Sequence, residues 1–394
     1  MSQRIGIDLF RNEPLLMMLL LAFAVLACLM IPLYFYVRRP KIGTTEWISR
    51  LDPVHFGPLK RAAFRGTDVI WSLLTGLCAG FLDIIYLMFR YHIPQQENAL
   101  QAMRSIFPLM FRAAIPAAIF AIGVYLLLRA MFDRTFSAMS LAILGGVLLR
   151  SEGRANALLV FSLLFLYLWA SAPYDAKLFP RALWMLLSGA CYAIALLPCV
   201  AMIWLAPFYF IVYVSVQVAR FRNGDPEKRK KKLIVSVLLM IAMVLVGIIA
   251  LLAAFALDKG WLLYSGFGLL VSAEFYQYMI IYIKATLRSL LFDSDLLRGV
   301  VVSDAFGMIL GLVALVPLLH GVIRMRDSRC LLLLCLLPFA ALGFLVSGYY
   351  YMLLPLLLVV GWTWSTFRRR GHPLYPAMFA GMTLLFFFVQ DILM

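Results

Sequence analysis

The sequence contains few acidic residues, few histidines and few cysteines, and each scarcity narrows the class of protein. Of 394 residues, 19 are Asp or Glu, four are His and six are Cys. The His and Cys residues are scattered and form neither a CxxC pair nor an HExxH motif, which excludes a zinc centre built on those motifs. The cysteines lie in apolar runs, where we expect small packing residues rather than disulfides.

Linkers rich in Pro, Gly or Ser are also absent, so the sequence predicts no separate soluble domain. What the chain has instead is apolar length: hydrophobic residues make up 64% of it, and the mean hydropathy is +0.95. A soluble fold cannot hide that much apolar surface, whereas a membrane-spanning helix needs roughly 20 such residues. The composition therefore predicts an all-α polytopic membrane protein.

A basic segment at residues 220–232 sets the orientation of the predicted spans. It holds seven Lys or Arg in thirteen residues, between two long apolar runs. Such a block next to membrane spans is typical of the cytoplasmic side. A short loop held at the membrane is a poor nucleic-acid site, so we expect no nucleic acid as partner. We interpret the segment as a solvated linker that marks orientation.

The apolar runs predict about twelve transmembrane helices with both chain ends outside. Predicted inner loops hold 24 of the 35 Lys and Arg, as the positive-inside rule requires. The run 182–219 is too long for one span, and Pro198 and Pro207 predict a break near residue 198. The predicted spans are 15–37, 68–89, 113–128, 135–149, 155–172, 182–198, 198–219, 233–257, 300–323, 330–347, 349–366 and 373–393.

Two longer segments between spans are predicted at the outer face. Residues 90–112 carry apolar residues at helical spacing after Pro94, which predicts an interfacial helix along the outer surface. Residues 258–299 mix aromatic and charged side chains, which predicts amphipathic or re-entrant helices there. Interfacial helices on the outer face are therefore part of the predicted fold.

Charged groups in or beside the membrane are costly and so mark candidate sites. Glu97 begins the predicted interfacial helix, where the helix dipole keeps it ionised; it suits a general base, or it only stabilises that helix end. Asp83 lies roughly 10 Å inside its span, by helical rise, as a functional acid or as the structural partner of an Arg. Asp293 and Asp295 form an Asp-x-Asp motif that can chelate a divalent metal; we expect no other cofactor.

Cations at the same predicted face suit an anionic, lipid-borne substrate, because they can hold a phosphate. Tyr350 belongs to a Tyr triplet at an outer span end, which is an aromatic belt or a contact to a lipid phosphate. The candidate substrate- or phosphate-binding residues are Arg90, His92, Arg150, Arg154, Lys284, Arg288 and Tyr350.

Three stretches carry a family resemblance: residues 126–134, residues 150–161, and residues 332–370 with Ser347-Gly-Tyr-Tyr-Tyr-Met-Leu-Leu-Pro355 inside them. In these stretches the chain resembles the GT-C superfamily of polyprenyl-phosphate-sugar-dependent glycosyltransferases, which includes protein O-mannosyltransferases and aminoarabinose transferases. The resemblance implies a GT-C-like transmembrane domain at 68–394. Residues 1–67 would be an added span with a cytoplasmic basic segment.

The resemblance also implies a mechanism. The family's first outer loop carries a catalytic Asp or Glu, often as an Asp-Glu pair, and the matching place here reads Gln96-Glu97. A polyprenyl-phosphate sugar would enter from the outer leaflet, and Glu97 would deprotonate an acceptor hydroxyl. The cations named above would stabilise the departing lipid phosphate, and in-line attack would invert the anomeric centre.

Two other functions remain open from the sequence. One is a transporter or flippase of a lipid-linked sugar, although transporters often show repeated halves and none is evident here. The other is a non-catalytic membrane partner that keeps the fold, which the single acid at Glu97 would fit. The expected partners are a lipid-linked sugar and membrane lipids. The compact loops favour the bacterial plasma membrane, although an endoplasmic reticulum protein would obey the same physics.

Overall fold

The described part of the chain consists of helices and contains no strand. A computed structural model of the protein describes residues 25–34, 59, 61–90, 99–132, 134–148, 153–172, 178–196, 205–222, 229–257, 302–347, 350–368 and 372–393. Its twelve helices are α1 (Val25–Tyr34), α2 (Gly66–Arg90), α3 (Ala99–Phe132), α4 (Thr135–Leu148), α5 (Gly153–Ala170), α6 (Leu178–Leu196), α7 (Ala206–Arg222), α8 (Arg229–Leu257), α9 (Val302–Ile323), α10 (Ser328–Ser347), α11 (Tyr350–Arg368) and α12 (Leu374–Leu393).

Each predicted span contains one of these helices, so the all-α prediction is confirmed for the described residues. The run 182–219, which the prolines predicted to hold two helices, contains the end of α6 at Leu196 and the start of α7 at Ala206, and residues 197–204 lie outside the described ones. Pro207 is the second residue of α7, in a first turn that tolerates a missing backbone N–H. The predicted outer segment 258–299 lies outside the described residues.

The prediction of a separate interfacial helix at 90–112 was wrong in one respect. Its described residues, from Ala99 onward, are helical, but they form the first part of α3, which continues without a break to Phe132. Pro108 and Pro116 do not end it, since neighbouring helices help to satisfy the backbone groups that a proline frees in a membrane helix. At 1.5 Å per residue, α3 is about 51 Å long, well beyond the ~30 Å hydrocarbon core.

Three of the described helices are long and apolar enough to cross a membrane. They are the segments Gly66–Met88, Ala114–Phe132 and Phe179–Leu196. Nine further apolar helical segments are shorter, between 10 and 17 residues. The described residues therefore form a helical structure that is compatible with a membrane protein.

Exposed faces of the helices are apolar, the reverse of a soluble bundle. In α2, Ile70 and Leu77 are 67% and 71% exposed, whereas Asp68 and Asp83 are both 2% exposed. In α8, a run of large apolar side chains is likewise exposed: Ile234, Val237, Leu238, Ile241, Val244, Leu245, Ile248 and Ile249. Large exposed apolar patches of this kind mark a membrane or protein contact, and the polar groups turn inward.

The chain forms two compact units. Unit A comprises Leu59–Ser265 and contains α2 to α8, whereas unit B comprises Met1–Pro58 and Gly266–Met394 and contains α1 and α9 to α12. The division at residue 67 that the resemblance implies stays a prediction.

Small residues bring α2, α3 and α4 close together in unit A. A Cβ on Gly76 would lie 3.0 Å from the carbonyl oxygen of Ala118, and a Cβ on Gly146 would lie 2.8 Å from the Cβ of Ala79. Gly76 and Gly80 form a Gly-x-x-x-Gly pair, which lets two membrane helices approach at backbone distance. This contact fixes the first hairpin of the unit.

An aromatic cluster packs unit B around α1. Tyr34 lies edge-on to His320 with ring centroids 5.5 Å apart, and it contacts Tyr375 at 4.8 Å. Phe367 closes the cluster at 5.7 Å from Tyr34. Tyr34, Phe367 and Tyr375 are almost fully buried. The C-terminal turns of α1, α9 and α11 therefore meet the first turn of α12 at one end of this unit.

Candidate functional site

Among the predicted site residues, only Asp83 has a described side chain. It lies in α2 on the same face as Ala79, one turn away, and is 2% exposed. That face contacts α3 at Ala114 through Gly80. Asp83 is thus an acid turned into the helix bundle rather than toward lipid, as expected for an ionisable group at membrane depth.

The structure describes only the backbone of three other predicted site residues. Arg90 is the last residue of α2, Arg154 is the second residue of α5, and Tyr350 is the first residue of α11. The remaining members, Glu97, His92, Arg150, Lys284 and Arg288, lie outside the described residues.

Helix directions bring several of these positions to one end of unit A. Helices α2 and α3 are antiparallel, because Gly76 faces Ile122 and Gly80, one turn later, faces Ala114. Helix α4 runs opposite to α3, since Gly146 near its end also packs on the α2–α3 hairpin. Only four residues separate α4 from α5. We call this the α2-exit end: it contains the end of α2, the start of α3, the end of α4 and the start of α5.

The opposite end of unit A, which we call the Asp68 end, holds a buried ion pair that the sequence did not reveal. Asp68 Oδ1 accepts hydrogen bonds from Arg129 Nε at 2.9 Å and from Tyr125 OH at 3.0 Å. Asp68 Oδ2 accepts the backbone N–H of Arg65 at 2.7 Å, so the carboxylate also caps the start of α2. Asp68 and Arg129 are 2% and 6% exposed. The cluster ties the start of α2 to the end of α3.

A second polar cluster lies in the middle of α5, α6 and α7. Ser162 and Ser188 exchange hydrogen bonds, each hydroxyl donating to the other's carbonyl oxygen at 2.7 and 2.9 Å. Tyr209 OH donates to Ser162 Oγ at 2.7 Å. Hydroxyl groups that bond across helices in this way hold membrane helices together. All three side chains are buried, so we assign the cluster a structural role.

An arginine joins α5 to α7 at the Asp68 end of unit A. Arg220 Nη2 donates to the carbonyl oxygen of Trp169 at 2.6 Å, and its guanidinium lies over the indole ring, 4.7 Å from the centroid. Trp169 stacks on Tyr213 at 5.3 Å with an interplanar angle of 7°. Tyr213 OH in turn donates to the carbonyl oxygen of Ser236 in α8. We call Trp169, Tyr213 and Arg220 the Trp169 cluster.

In unit B, the turn between α9 and α10 is held by a third acid. Asp327 forms an ion pair with Arg329 at 2.7 Å and accepts the indole N–H of Trp362 at 3.1 Å. Burial raises the pKa of Asp327, but the hydrogen bonds and charge of Arg329 outweigh burial, so the pKa is lowered overall. Arg326 adopts a positive φ of 50°, which closes the turn.

Sequence reasoning missed Asp68 and Asp327 because each stands beside a helix start, where a lone acid is ordinarily a cap. Their partners supply the missing signal: Arg129 lies 61 residues from Asp68, and Trp362 lies 35 residues from Asp327. A basic residue at the far end of a neighbouring predicted span was the only sequence hint.

No group of three or more His, Cys, Asp or Glu that could hold a metal ion occurs among the described residues. Asp293 and Asp295, the predicted metal-chelating pair, lie outside them. The described clusters bond helices together and, at Arg220, present a half-buried cation.

Comparison with known proteins yields no significant match, either to a protein-family model, to a curated protein or to a solved structure.

Proposed function

We propose that the protein is a membrane glycosyltransferase of the GT-C type with about twelve spans. It would move a sugar from a polyprenyl-phosphate donor to an acceptor hydroxyl at the outer face, with inversion at the anomeric carbon. The basic segment 220–232 would lie in the cytoplasm, and the membrane would be the bacterial plasma membrane. The donor lipid and the surrounding lipids are the proposed partners.

The observation that carries this proposal is the α2-exit end of unit A. Four helix ends come together there, and Arg90 and Arg154 belong to two of them. Glu97 stands two residues before α3, and Arg150 stands between α4 and α5. The sequence positions of the proposed base and of the three proposed phosphate-binding cations therefore support a site at this end of unit A. A base and a cationic phosphate site on one side are what such a transfer requires.

The position of Asp83 supports a site at the same end of unit A. It is buried on the inward face of α2, two turns before Arg90. An acid in that position suits a role next to the sugar or in holding a cation at the site. His92, Lys284, Arg288 and Tyr350 complete the proposed contacts to the donor phosphate.

The decisive experiment measures release of sugar from the donor lipid. Purified full-length protein in liposomes would be given a panel of radiolabelled polyprenyl-phosphate monosaccharides, and label transferred to water-soluble hydroxyl acceptors would be counted. We expect Glu97→Gln to lower turnover at least about a hundredfold, the usual contribution of a positioned general base. Glu227→Gln, the same change within the basic segment, is the matched control and should retain full turnover.

The same experiment also distinguishes glycosyl transfer from the two alternative functions, transport and a non-catalytic role. Full activity in Glu97→Gln would refute this site assignment. No transfer by the wild type, combined with movement of intact donor lipid across the liposome membrane, would replace the proposal with transport. No transfer and no movement with any donor would favour a non-catalytic partner.

The topology can be tested separately. A cysteine introduced at Asn223 should react only with reagent on the cytoplasmic side, and one introduced at Gln96 only with reagent outside. The reverse labelling pattern would invert the proposed orientation without affecting the helix assignment.

A further inference from the structure

The Trp169 cluster is built from the last turns of two helices in unit A. Arg220 belongs to the last turn of α7, and Trp169 to the last turn of α5. The final carbonyl groups of a helix lack partners within it and carry partial negative charge, so a guanidinium is a suitable cap. The carbonyl oxygen of Trp169, which also accepts the backbone N–H of Ala172 at 3.3 Å, accepts a hydrogen bond from one arm of the Arg220 guanidinium.

Two donors in this cluster remain without an acceptor. Trp169 Nε1 and Arg220 Nη1 are buried atoms with no hydrogen-bond partner, and Trp169 is fully buried. A buried donor left without an acceptor costs roughly 1–3 kcal/mol, and more when the donor is charged. Most buried donors in folded proteins are satisfied, so two unsatisfied donors in one cluster call for an acceptor that the described helices do not themselves supply.

The charge around Arg220 has the same sign as Arg220 itself. Arg181 of α6 lies close enough to repel it electrostatically. No carboxylate of the described helices pairs with Arg220, in contrast to Arg129 and Arg329. The basic run of residues 228–232 follows within a few residues of α7. A half-buried guanidinium without a counter-ion is unfavourable, and an anionic ligand would remove that cost.

We propose that the Trp169 cluster binds a phosphate group, with Arg220 Nη1 and Trp169 Nε1 donating to its oxygens. A guanidinium and an indole N–H are both donors only, which suits an acceptor such as a phosphate diester. The same chemistry is offered by an anionic phospholipid headgroup and by free phosphate. Tryptophan at a helix end and a neighbouring basic segment favour the lipid, because anionic lipids concentrate at the cytoplasmic leaflet.

This site is at the Asp68 end of unit A, opposite to the end proposed for glycosyl transfer. Its residues are separate from those of the transfer site, and the choice of a lipid rests on the proposed cytoplasmic position of segment 220–232. That segment would then do more than mark orientation, because Arg220 is folded back onto α5 and the basic run 228–232 follows it closely in the sequence.

The test measures anion binding by the full-length protein in neutral detergent. Unfolding temperature is followed while short-chain phosphatidylglycerol is added, with short-chain phosphatidylcholine and inorganic phosphate as comparison probes. We expect phosphatidylglycerol to stabilise the wild type in a saturable manner. Arg220→Gln should weaken its apparent affinity about tenfold and Trp169→Phe about threefold, in keeping with a charge-assisted and a neutral hydrogen bond.

The matched control is Lys231→Gln, which removes one positive charge from the basic run 228–232 and leaves the residues of the Trp169 cluster unchanged. It should change the affinity by less than about twofold, because a charge outside the cluster adds only a screened, general attraction for the anion. Arg220→Lys guards against misfolding, because it keeps the charge and loses the second donor arm; we expect an intermediate loss of affinity.

Two results would overturn the proposal. One is an equal loss of affinity in Arg220→Gln and Lys231→Gln, which would show diffuse charge attraction. The other is a wild type that no anionic probe stabilises. Saturable stabilisation by inorganic phosphate, with the same order of variants and no response to phosphatidylglycerol, would support the site and assign its ligand as free phosphate.

Discussion

Two arginines at the same end of unit A have different electrostatic environments. Arg129 is 6% exposed and forms a 2.9 Å ion pair with Asp68, which also accepts a tyrosine hydroxyl and a backbone N–H. Arg220 is half-buried, donates to a neutral carbonyl and stacks on an indole. Arg129 completes an internal network, whereas Arg220 retains an unmet donor. A buried charge that its own fold satisfies is structural, and one that its fold leaves unsatisfied is available to a ligand.

The largest expected effect comes from breaking the ion pair between Asp68 and Arg129. Asp68→Asn leaves the Arg129 charge buried without its counter-ion, which should lower the free energy of unfolding by about 3–5 kcal/mol. Chemical unfolding of the purified protein in detergent would measure it. The double variant Asp68→Asn with Arg129→Gln removes both charges and should recover part of the loss. A double variant less stable than the single one would contradict the role given to the pair.

Placing a carboxylate next to Arg220 should make its electrostatic environment resemble that of Arg129. Gln217 lies one helical turn before Arg220, and its side-chain oxygen accepts a hydrogen bond from Ser236 at 2.8 Å. Gln217→Glu keeps that acceptor and adds a carboxylate at i, i+3 spacing. We expect about a tenfold weaker response to phosphatidylglycerol, the equivalent of about 1.4 kcal/mol. The response is read from unfolding temperature against lipid concentration, and an unchanged response would place the anion elsewhere.

The turn of unit B provides an intermediate case, with an ion pair whose members are 22% and 14% exposed. Because the pKa of Asp327 is lowered in the folded protein, its stabilising contribution is complete above the ordinary value of 3.8 and is lost as the pH falls through the lowered value. Unfolding measured from neutral to acidic pH should show a loss of stability that Asp327→Asn abolishes. An acid-sensitive loss of equal size in that variant would assign it to other carboxyls.

The smallest effects should distinguish a used donor from an unused one. Tyr125→Phe removes a hydroxyl that donates to Asp68, and should cost about 0.5–1 kcal/mol of unfolding free energy. Trp169→Phe removes a buried indole N–H that has no acceptor, so without ligand the loss of this group should not lower the free energy of unfolding through hydrogen bonding. Because that change also reduces packing, Trp184→Phe, which removes a half-buried indole stacked on Phe165, serves as the reference for ring size.

The sequence predicted the helices well because each depends on a local property. A run of apolar residues close to membrane thickness forms a helix wherever it lies, so the twelve predicted spans each contain one. The prolines in the run 182–219 predicted two helices there, and the described residues contain α6 and α7. Segment 99–112 was different: apolar residues at helical spacing after Pro94 predicted an interfacial helix, but charged side chains such as Arg104 and Arg112 do not interrupt backbone hydrogen bonds, and α3 continues through them.

The polar clusters depend on pairs far apart in the chain, and these could not be predicted. Asp68 reads as an ordinary cap until Arg129 is placed beside it, and Ser162 reads as a small residue until Ser188 meets it from another helix. Arg220 was counted with the solvated basic segment, because sequence alone does not show that a side chain folds back. The transfer site predicted around Glu97 stays a prediction, because Glu97 lies outside the described residues.

Because α3 is continuous from Ala99 to Phe132, a movement at one end of the helix is transmitted to the other end. The helix is held against α2 at the close contact around Ala118, and Tyr125 and Arg129 lie on the C-terminal side of that contact. The N-terminal part, from Ala118 back to Ala99, is roughly 28 Å long at 1.5 Å per residue. A tilt of about 5° at this contact would therefore displace the first residue of α3 by roughly 2.5 Å, a distance comparable to the precision that catalytic alignment requires. Loosening the Asp68 ion pair would accordingly move the first turn of α3, which the proposed base Glu97 precedes by two residues in the sequence.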